Sequence, residues 1–122
     1  MLVPKIYLVD DSYDFRILAK ALLEAYLPSA AVVAYENGLD MLKDHEKERA
    51  DIIITDTNMP HIDGVNLVNE ARKIDRQTTI VLLFSGTIES PGLTEDMIAS
   101  CEANVILSKP AFVDWIKEMF KE

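Results

Sequence analysis

Four places in this 122-residue sequence gather side chains able to do chemistry, and each comes directly after an apolar run. Asp10, Asp11 and Ser12 follow the run at 6–9, and Asp56, Thr57 and Asn58 follow the run at 52–55. Ser85, Gly86 and Thr87 follow 79–84, while Ser108, Lys109 and Pro110 follow 105–107. Singly, each has a plain explanation. Asp11 or Ser12 can cap a helix, Asp56 can sit in a turn, Ser85 can be a loop hydroxyl and Lys109 a solvated charge. Brought to one place, three carboxylates repel one another and push at least one proton affinity up. A divalent cation and an ammonium group remove that difficulty, and Mg²⁺ takes oxygen ligands and shares its shell with phosphate. A carboxylate can then act as a nucleophile toward phosphorus and form an aspartyl-phosphate. Such a transfer asks mainly for positioning and for neutralisation of the equatorial oxygens. Mg²⁺, Lys109 and the Ser85 hydroxyl would provide this from three sides, with Gly86 leaving room for approach. Asp56 is the expected nucleophile, since it ends what reads as the central strand.

The elements that must position these residues alternate regularly. Residues 5–10, 30–35, 51–56, 79–84 and 105–107 read as strands. Between and after them come helical patterns. Phe15, Leu18, Leu22 and Tyr26 recur at helical spacing until Pro28; Leu39, Leu42 and His45 follow an N-cap at Asn37, with Asp40 in the first turn. Val65, Val68, Ala71 and Ile74 form a third stripe, and Thr94 caps a fourth helix with Met97, Ile98 and Cys101 inward. Phe112, Trp115, Ile116, Met119 and Phe120 form the last stripe. Strands with continuous apolar runs fit a parallel sheet covered on both faces. Right-handed crossovers then leave a doubly wound α/β sheet, which collects function at the carboxyl ends of its strands. The second strand is followed only by Glu36, Asn37 and Gly38, an ordinary turn. With no repeats or linkers, a single domain over 1–122 is expected.

Composition narrows the partners. The chain is 49% hydrophobic and 27% charged, with a net charge of −9. No basic cluster is present to neutralise nucleic-acid phosphates, so direct nucleic-acid binding is not expected. The charge run at 43–49 mixes both signs and reads as a solvated helix face. An acidic chain suits cations and basic partner surfaces. The single cysteine, Cys101, excludes an internal disulfide and reads as a small residue on an apolar helix face. The first apolar stretch is far shorter than a membrane span of about 20 residues, and a soluble, cytoplasmic chain is expected.

In order and spacing, Leu8-Val-Asp-Asp11, Asp56-Thr-Asn-Met-Pro60 running to Asp63-Gly64, Phe84-Ser-Gly86 and Ser108-Lys-Pro110 resemble the response-regulator receiver family over essentially the whole chain. The resemblance implies a flavodoxin-like (βα)₅ fold with a five-stranded parallel sheet in the order 2-1-3-4-5. It assigns phosphoacceptance to Asp56, and Mg²⁺ ligation to Asp11, the Asp56 carboxylate and the Asn58 carbonyl, with Asp10 acting through water. It assigns phosphoryl contact to Ser85 and Lys109, and a cis bond to Lys109–Pro110. The implied phosphate donor is a sensor histidine kinase or a phosphotransfer protein, the implied output a downstream protein target, and His45 and His61 are not ligands. The chain would not be an enzyme beyond catalysing its own phosphorylation and dephosphorylation. It would act alone by docking to a partner or form part of a longer protein. A homodimer, or partner docking, would use the face of the fourth helix, fifth strand and fifth helix, with Trp115 on it if that residue is partly exposed.

Some positions depart from the family pattern. Ile106 stands where receivers commonly carry Tyr or Phe, a ring whose rotamer change reads out phosphorylation. Ser85 replaces the commoner threonine, Gly86 a frequent alanine, and the 87–92 loop is somewhat long. Asn58 and Thr87 are expected to tune phosphate lifetime. Two other classes compete. A haloacid-dehalogenase-type phosphatase would need a second Asp two residues after the nucleophile, where Asn58 stands, and a cap domain. A phosphate-independent interaction module finds its support in Ile106.

Overall fold

The computed structural model describes residues 3–84 and 92–119. Five strands, β1 (Lys5–Val9), β2 (Ala31–Tyr35), β3 (Ile52–Asp56), β4 (Thr79–Phe84) and β5 (Val105–Ser108), alternate with five helices. These are α1 (Tyr13–Tyr26), α2 (Gly38–Lys47), α3 (Gly64–Ile74), α4 (Glu95–Ser100) and α5 (Lys109–Met119). All strand pairs are parallel and the order is β2-β1-β3-β4-β5, the flavodoxin-like arrangement expected. Ser85, Gly86 and Thr87, most of the loop that follows them, and Phe120 lie outside the described residues.

Alternation along the strands divides the core in two. Ile6, Leu8, Ile54, Val81 and Leu83 meet Ala19, Leu23, Phe112 and Ile116 on the face covered by α1 and α5. Tyr7, Val9, Ile53, Ile80 and Leu82 meet Met41, Val65, Val68 and Ile98 from α2, α3 and α4. Because β1, β3 and β4 are buried on both faces, their sequences read as continuous apolar runs. β2 lies at an edge and is half exposed.

Helix entry is set by caps. The side chains of Ser12, Asn37, Asp63 and Thr94 accept backbone N–H groups of Phe15, Asp40, Asn66 and Met97. Each satisfies a donor that would otherwise be orphaned in the first turn. The predicted stripes need rotation in places. Leu18, Leu39, Met97 and Met119 are exposed, while Ala19, Leu23, Met41 and His45 are fully buried. Cys101 is half-buried at the end of α4, and Trp115 packs half-buried against the α1/α5-side core. The Lys109–Pro110 bond is trans, contrary to expectation. α5 starts at Lys109, with the Ala111 N–H donating to Ser108 Oγ at 3.2 Å. A trans proline fits this first turn, where its missing N–H has no intrahelical partner to lose.

At the opposite edge of the sheet from the strand ends, Arg72 is 6% exposed and binds neutral acceptors. Its guanidinium donates to the carbonyls of Thr78 (2.6 Å), Glu102 (3.0 Å) and Arg76 (3.3 Å) and to Asn104 Oδ1 (2.6 Å). Asn104 Oδ1 also accepts the Ile80 N–H at 2.7 Å. The end of α3, the start of β4 and the entry to β5 are thereby tied together.

Candidate functional site

The carboxyl ends of β1 and β3 lie side by side, since Val9 pairs with Thr55. The residues just beyond them, Asp10 and Asp11, therefore meet Asp56. These three carboxylates offer oxygen atoms that all lie within 4.8 Å of one another. Asp10 and Asp56 are buried, and Asp11 is exposed. From the start of α5, just past the end of β5, Lys109 reaches back so that Nζ lies 3.0 Å from Asp10 Oδ2 and 3.4 Å from Asp56 Oδ2. Two of the four groups expected from sequence are thus joined by the third, the lysine, and Ser85 falls outside the described residues. Asn58 is half-buried two residues beyond Asp56.

Backbone contacts hold the two buried acids in place. Asp10 Oδ1 accepts the Ser12 N–H at 2.8 Å, and the Asp10 carbonyl accepts from the Arg16 guanidinium at 2.7 Å. Asp56 Oδ1 accepts the Thr57 N–H at 2.8 Å. Thr57 in turn donates through Oγ1 to the Leu83 carbonyl at 2.7 Å, which fastens the end of β3 to β4. Gly64, at the first position of α3, has no room for a side chain, because a Cβ there would stand 2.1 Å from the Asp56 carbonyl oxygen. Its N–H donates to the Thr57 carbonyl at 2.8 Å. The Asp63-Gly64 pair thus caps α3 and lets the helix start against the strand that carries Asp56.

The electrostatics are those of a crowded acidic cluster. Burial raises the Asp56 pKa above the ordinary carboxylate value, and the Asp10 charge adds to that. Lys109 and the Thr57 N–H work in the opposite direction without cancelling it. For Lys109, burial opposes the charge, but Asp10 and then Asp56 outweigh it and raise the ammonium pKa. Asp10 Oδ2 is buried and ion-paired with Lys109, and among the described residues it has no hydrogen-bond donor besides. An under-satisfied buried oxygen among all-oxygen donors fits a hard divalent cation.

Neither histidine belongs to the cluster. His45 is buried in α2, and His61 occupies the β3–α3 turn at φ 70°. Arg16 escaped the sequence reading although its place, one helical turn past the acidic pair, was the available signal. Ile106 is 39% exposed beside a groove of about 410 Å³ that Phe84, Glu95, Ile98 and Ala99 also line.

Comparison with known proteins agrees with this geometry. The response regulator receiver domain family matches residues 6–121. The sporulation initiation phosphotransferase F of Bacillus subtilis (strain 168) is 27% identical over 125 residues, covering 100% of this chain and 94% of that protein. A protein-glutamate methylesterase/protein-glutamine glutaminase of Alkalilimnicola ehrlichii is 39% identical over 77 residues, 63% of this chain, but the match spans only 19% of that longer protein. Among solved structures, the chemotaxis protein CheY4 of Vibrio cholerae superposes with a TM-score of 0.78 at 27% identity, covering 97% of this chain and 96% of that one. The receiver domain of a Pseudomonas aeruginosa PAO1 sensor histidine kinase, with a magnesium ion coordinated in its active-site cleft, shares the fold at a TM-score of 0.77 and 21% identity, covering 99% of this chain and 100% of that one. A strand-end acidic cluster, a lysine reaching it from just past β5, the strand order and the near full-length match converge on one assignment: the chain belongs to the response-regulator receiver domain family.

Proposed function

We propose that this receiver domain works as a phosphorylation-dependent switch in a two-component relay, with Asp56 as the phosphoacceptor. The observation that carries the reading is the convergence of Asp10, Asp11 and Asp56, with Lys109 bridging the two buried members. Asp11, Asp56 and the Asn58 carbonyl would hold Mg²⁺, with Asp10 acting through water. When bound, the ion neutralises charge on the phosphoryl oxygens. An Asp56 carboxylate oxygen forms a bond to phosphorus as the P–N bond to a donor imidazole breaks. The electron pair leaves with the imidazole nitrogen, which takes up a proton. Lys109 moves from the carboxylates onto a phosphoryl oxygen, and the Ser85 hydroxyl donates to another. The donor is a sensor histidine kinase or phosphotransfer protein, the output a protein target, and the setting cytoplasmic. Within the chain, activity is limited to its own phosphorylation and dephosphorylation.

A phosphate-independent interaction module remains a second reading because Ile106, already half exposed, carries no ring that could swing. One experiment separates the two. Incubation with acetyl phosphate and Mg²⁺ is expected to add one phosphoryl group by intact mass, and Asp56→Asn is expected to abolish it while Ser12→Ala does not. Absence of an Asp56-dependent adduct, from either acetyl phosphate or beryllofluoride, rejects the switch.

A further inference from the structure

Lys109 has a neighbour that is not a carboxylate. Its ammonium nitrogen lies 4.5 Å from the centroid of the Phe15 ring. Phe15 belongs to the first turn of α1, and its N–H donates to the capping Ser12 side chain at 3.3 Å. The loop that carries Asp10 and Asp11 therefore also places this ring. The ring also meets Phe112, with centroids 6.2 Å apart and planes tilted by 45°, and Phe112 stacks on Trp115 at 6.2 Å. Phe112 is fully buried and stands three residues after Lys109 on α5. The ring is thus fixed by α1 through its backbone and by α5 through Phe112, between the helix that follows the acidic pair and the helix that starts with the lysine.

We infer that Phe15 is a positioning residue for Lys109: its ring face keeps the ammonium at the acidic cluster while its ionic partners change. The inference rests on the phosphoacceptor reading above. A lysine is a compact charge on a long flexible stem, and holding it in one place costs side-chain entropy. Asp10 and Asp56 hold it only while their oxygens are free. Once a cation and a phosphoryl group engage those oxygens, the ammonium must leave one set of partners for another. An aromatic face attracts a cation electrostatically, by more when the pair is partly desolvated. It carries no net charge and so does not compete with the phosphoryl group. The lysine is 26% exposed along its side chain, so the contact is partly desolvated.

The alternative is that Phe15 only fills space against Phe112, and side-chain substitutions separate the two roles. The rate of Asp56 labelling by acetyl phosphate, followed by intact mass at saturating Mg²⁺, is the measurement. Phe15→Leu, which keeps apolar bulk without a π face, is expected to lower the maximal rate about three- to tenfold. The Mg²⁺ concentration giving half the maximal rate should not change. Phe15→Tyr should recover the rate to within about twofold, because its ring face remains. In the Lys109→Gln background, where labelling is expected to be slow, Phe15→Leu should produce no further loss. Phe15→Met is the replacement if Phe15→Leu does not fold. A parent-like rate in Phe15→Leu overturns the inference, as does an equal loss with and without Lys109. If the parent chain itself takes no label, the phosphoacceptor reading fails and the positioning role fails with it. Label on the parent with no effect at Phe15 removes the positioning role alone.

Discussion

At the scale of single residues, His45 shows what burial does to a titratable group outside the acidic site. Its Nδ1 accepts the Ala50 N–H at 3.0 Å, so the proton sits on Nε2, which is buried without a hydrogen-bond partner among the described residues. The ring packs edge-on to Tyr7 with centroids 6.1 Å apart. Burial lowers its pKa below 6.5, with Asp75 opposing and Arg49 assisting. A depressed histidine pKa means that the unfolded chain binds the proton first as pH falls. Stability should therefore decline from about pH 6.5 downward, with a slope approaching ~1.4 kcal/mol per pH unit from this group. Asp56, whose pKa is raised, acts in the opposite sense, because the folded state takes up that proton first. Urea denaturation of the parent and of His45→Gln between pH 7 and 5.5 isolates the histidine. The parent should lose stability relative to the variant across that interval, and parallel curves would refute the assignment.

At the scale of elements, the fit of α3 against the end of β3 is the tightest join near the site. The Cβ of an alanine at position 64 would meet the Asp56 carbonyl at 2.1 Å, Leu82 Cδ1 at 2.8 Å and Thr57 Cα at 2.9 Å. Two of these contacts are with backbone, which cannot rotate away, so either the helix or the strand end must shift. Gly64→Ala should cost about 3 kcal/mol by thermal or urea denaturation and should slow Asp56 labelling as well. A loss below about 1 kcal/mol would show that the join is looser than the geometry implies. The Asp-Gly pair was visible in the sequence as part of a turn, but its reason was not, because the collision involves a strand paired from elsewhere. The helix stripes have a similar limit. Phe15, Leu22 and Tyr26 were correctly read as facing inward, but Leu18 turns outward because Ala19 and Leu23 lie closer to the sheet. A small alanine marks the nearest approach of a helix to a sheet, and hydrophobic spacing alone gives it no weight. Caps were legible at Asn37 and Thr94 because their bonds span only three residues.

For the whole molecule, charge and architecture act together. A chain of net charge −9 concentrates three carboxylates at one sheet edge. Folding therefore works against the burial of charge and against repulsion there, and the Asp56 pKa is raised first by burial and then by the Asp10 charge. Without divalent cations, Asp56→Asn should unfold at a higher temperature than the parent. Mg²⁺ at tenfold its dissociation constant should stabilise the parent by ~1.4 kcal/mol, and Asp11→Ala should lose most of that gain. Thermal melts with Mg²⁺ or EDTA check both, and a parent insensitive to Mg²⁺ would argue against the cation site. The convergence of Asp10, Asp56 and Lys109 was legible from sequence because strand ends in such sheets share an edge. The partnership of Phe15 with Lys109 was not, since it depends on how α1 and α5 pack against each other. Nor was the role of Arg72, whose acceptors are mostly backbone carbonyls. That arginine anchors β5 where the strand enters the sheet, 32 residues away in sequence at Asn104. β5 is an edge strand, joined on one side only, to β4, through pairs that run from Val81–Val105 to Phe84–Ser108. The clamp at Asn104 thus sets the register of the whole strand at its start, and with it the point at which Ser108 hands the chain to Lys109.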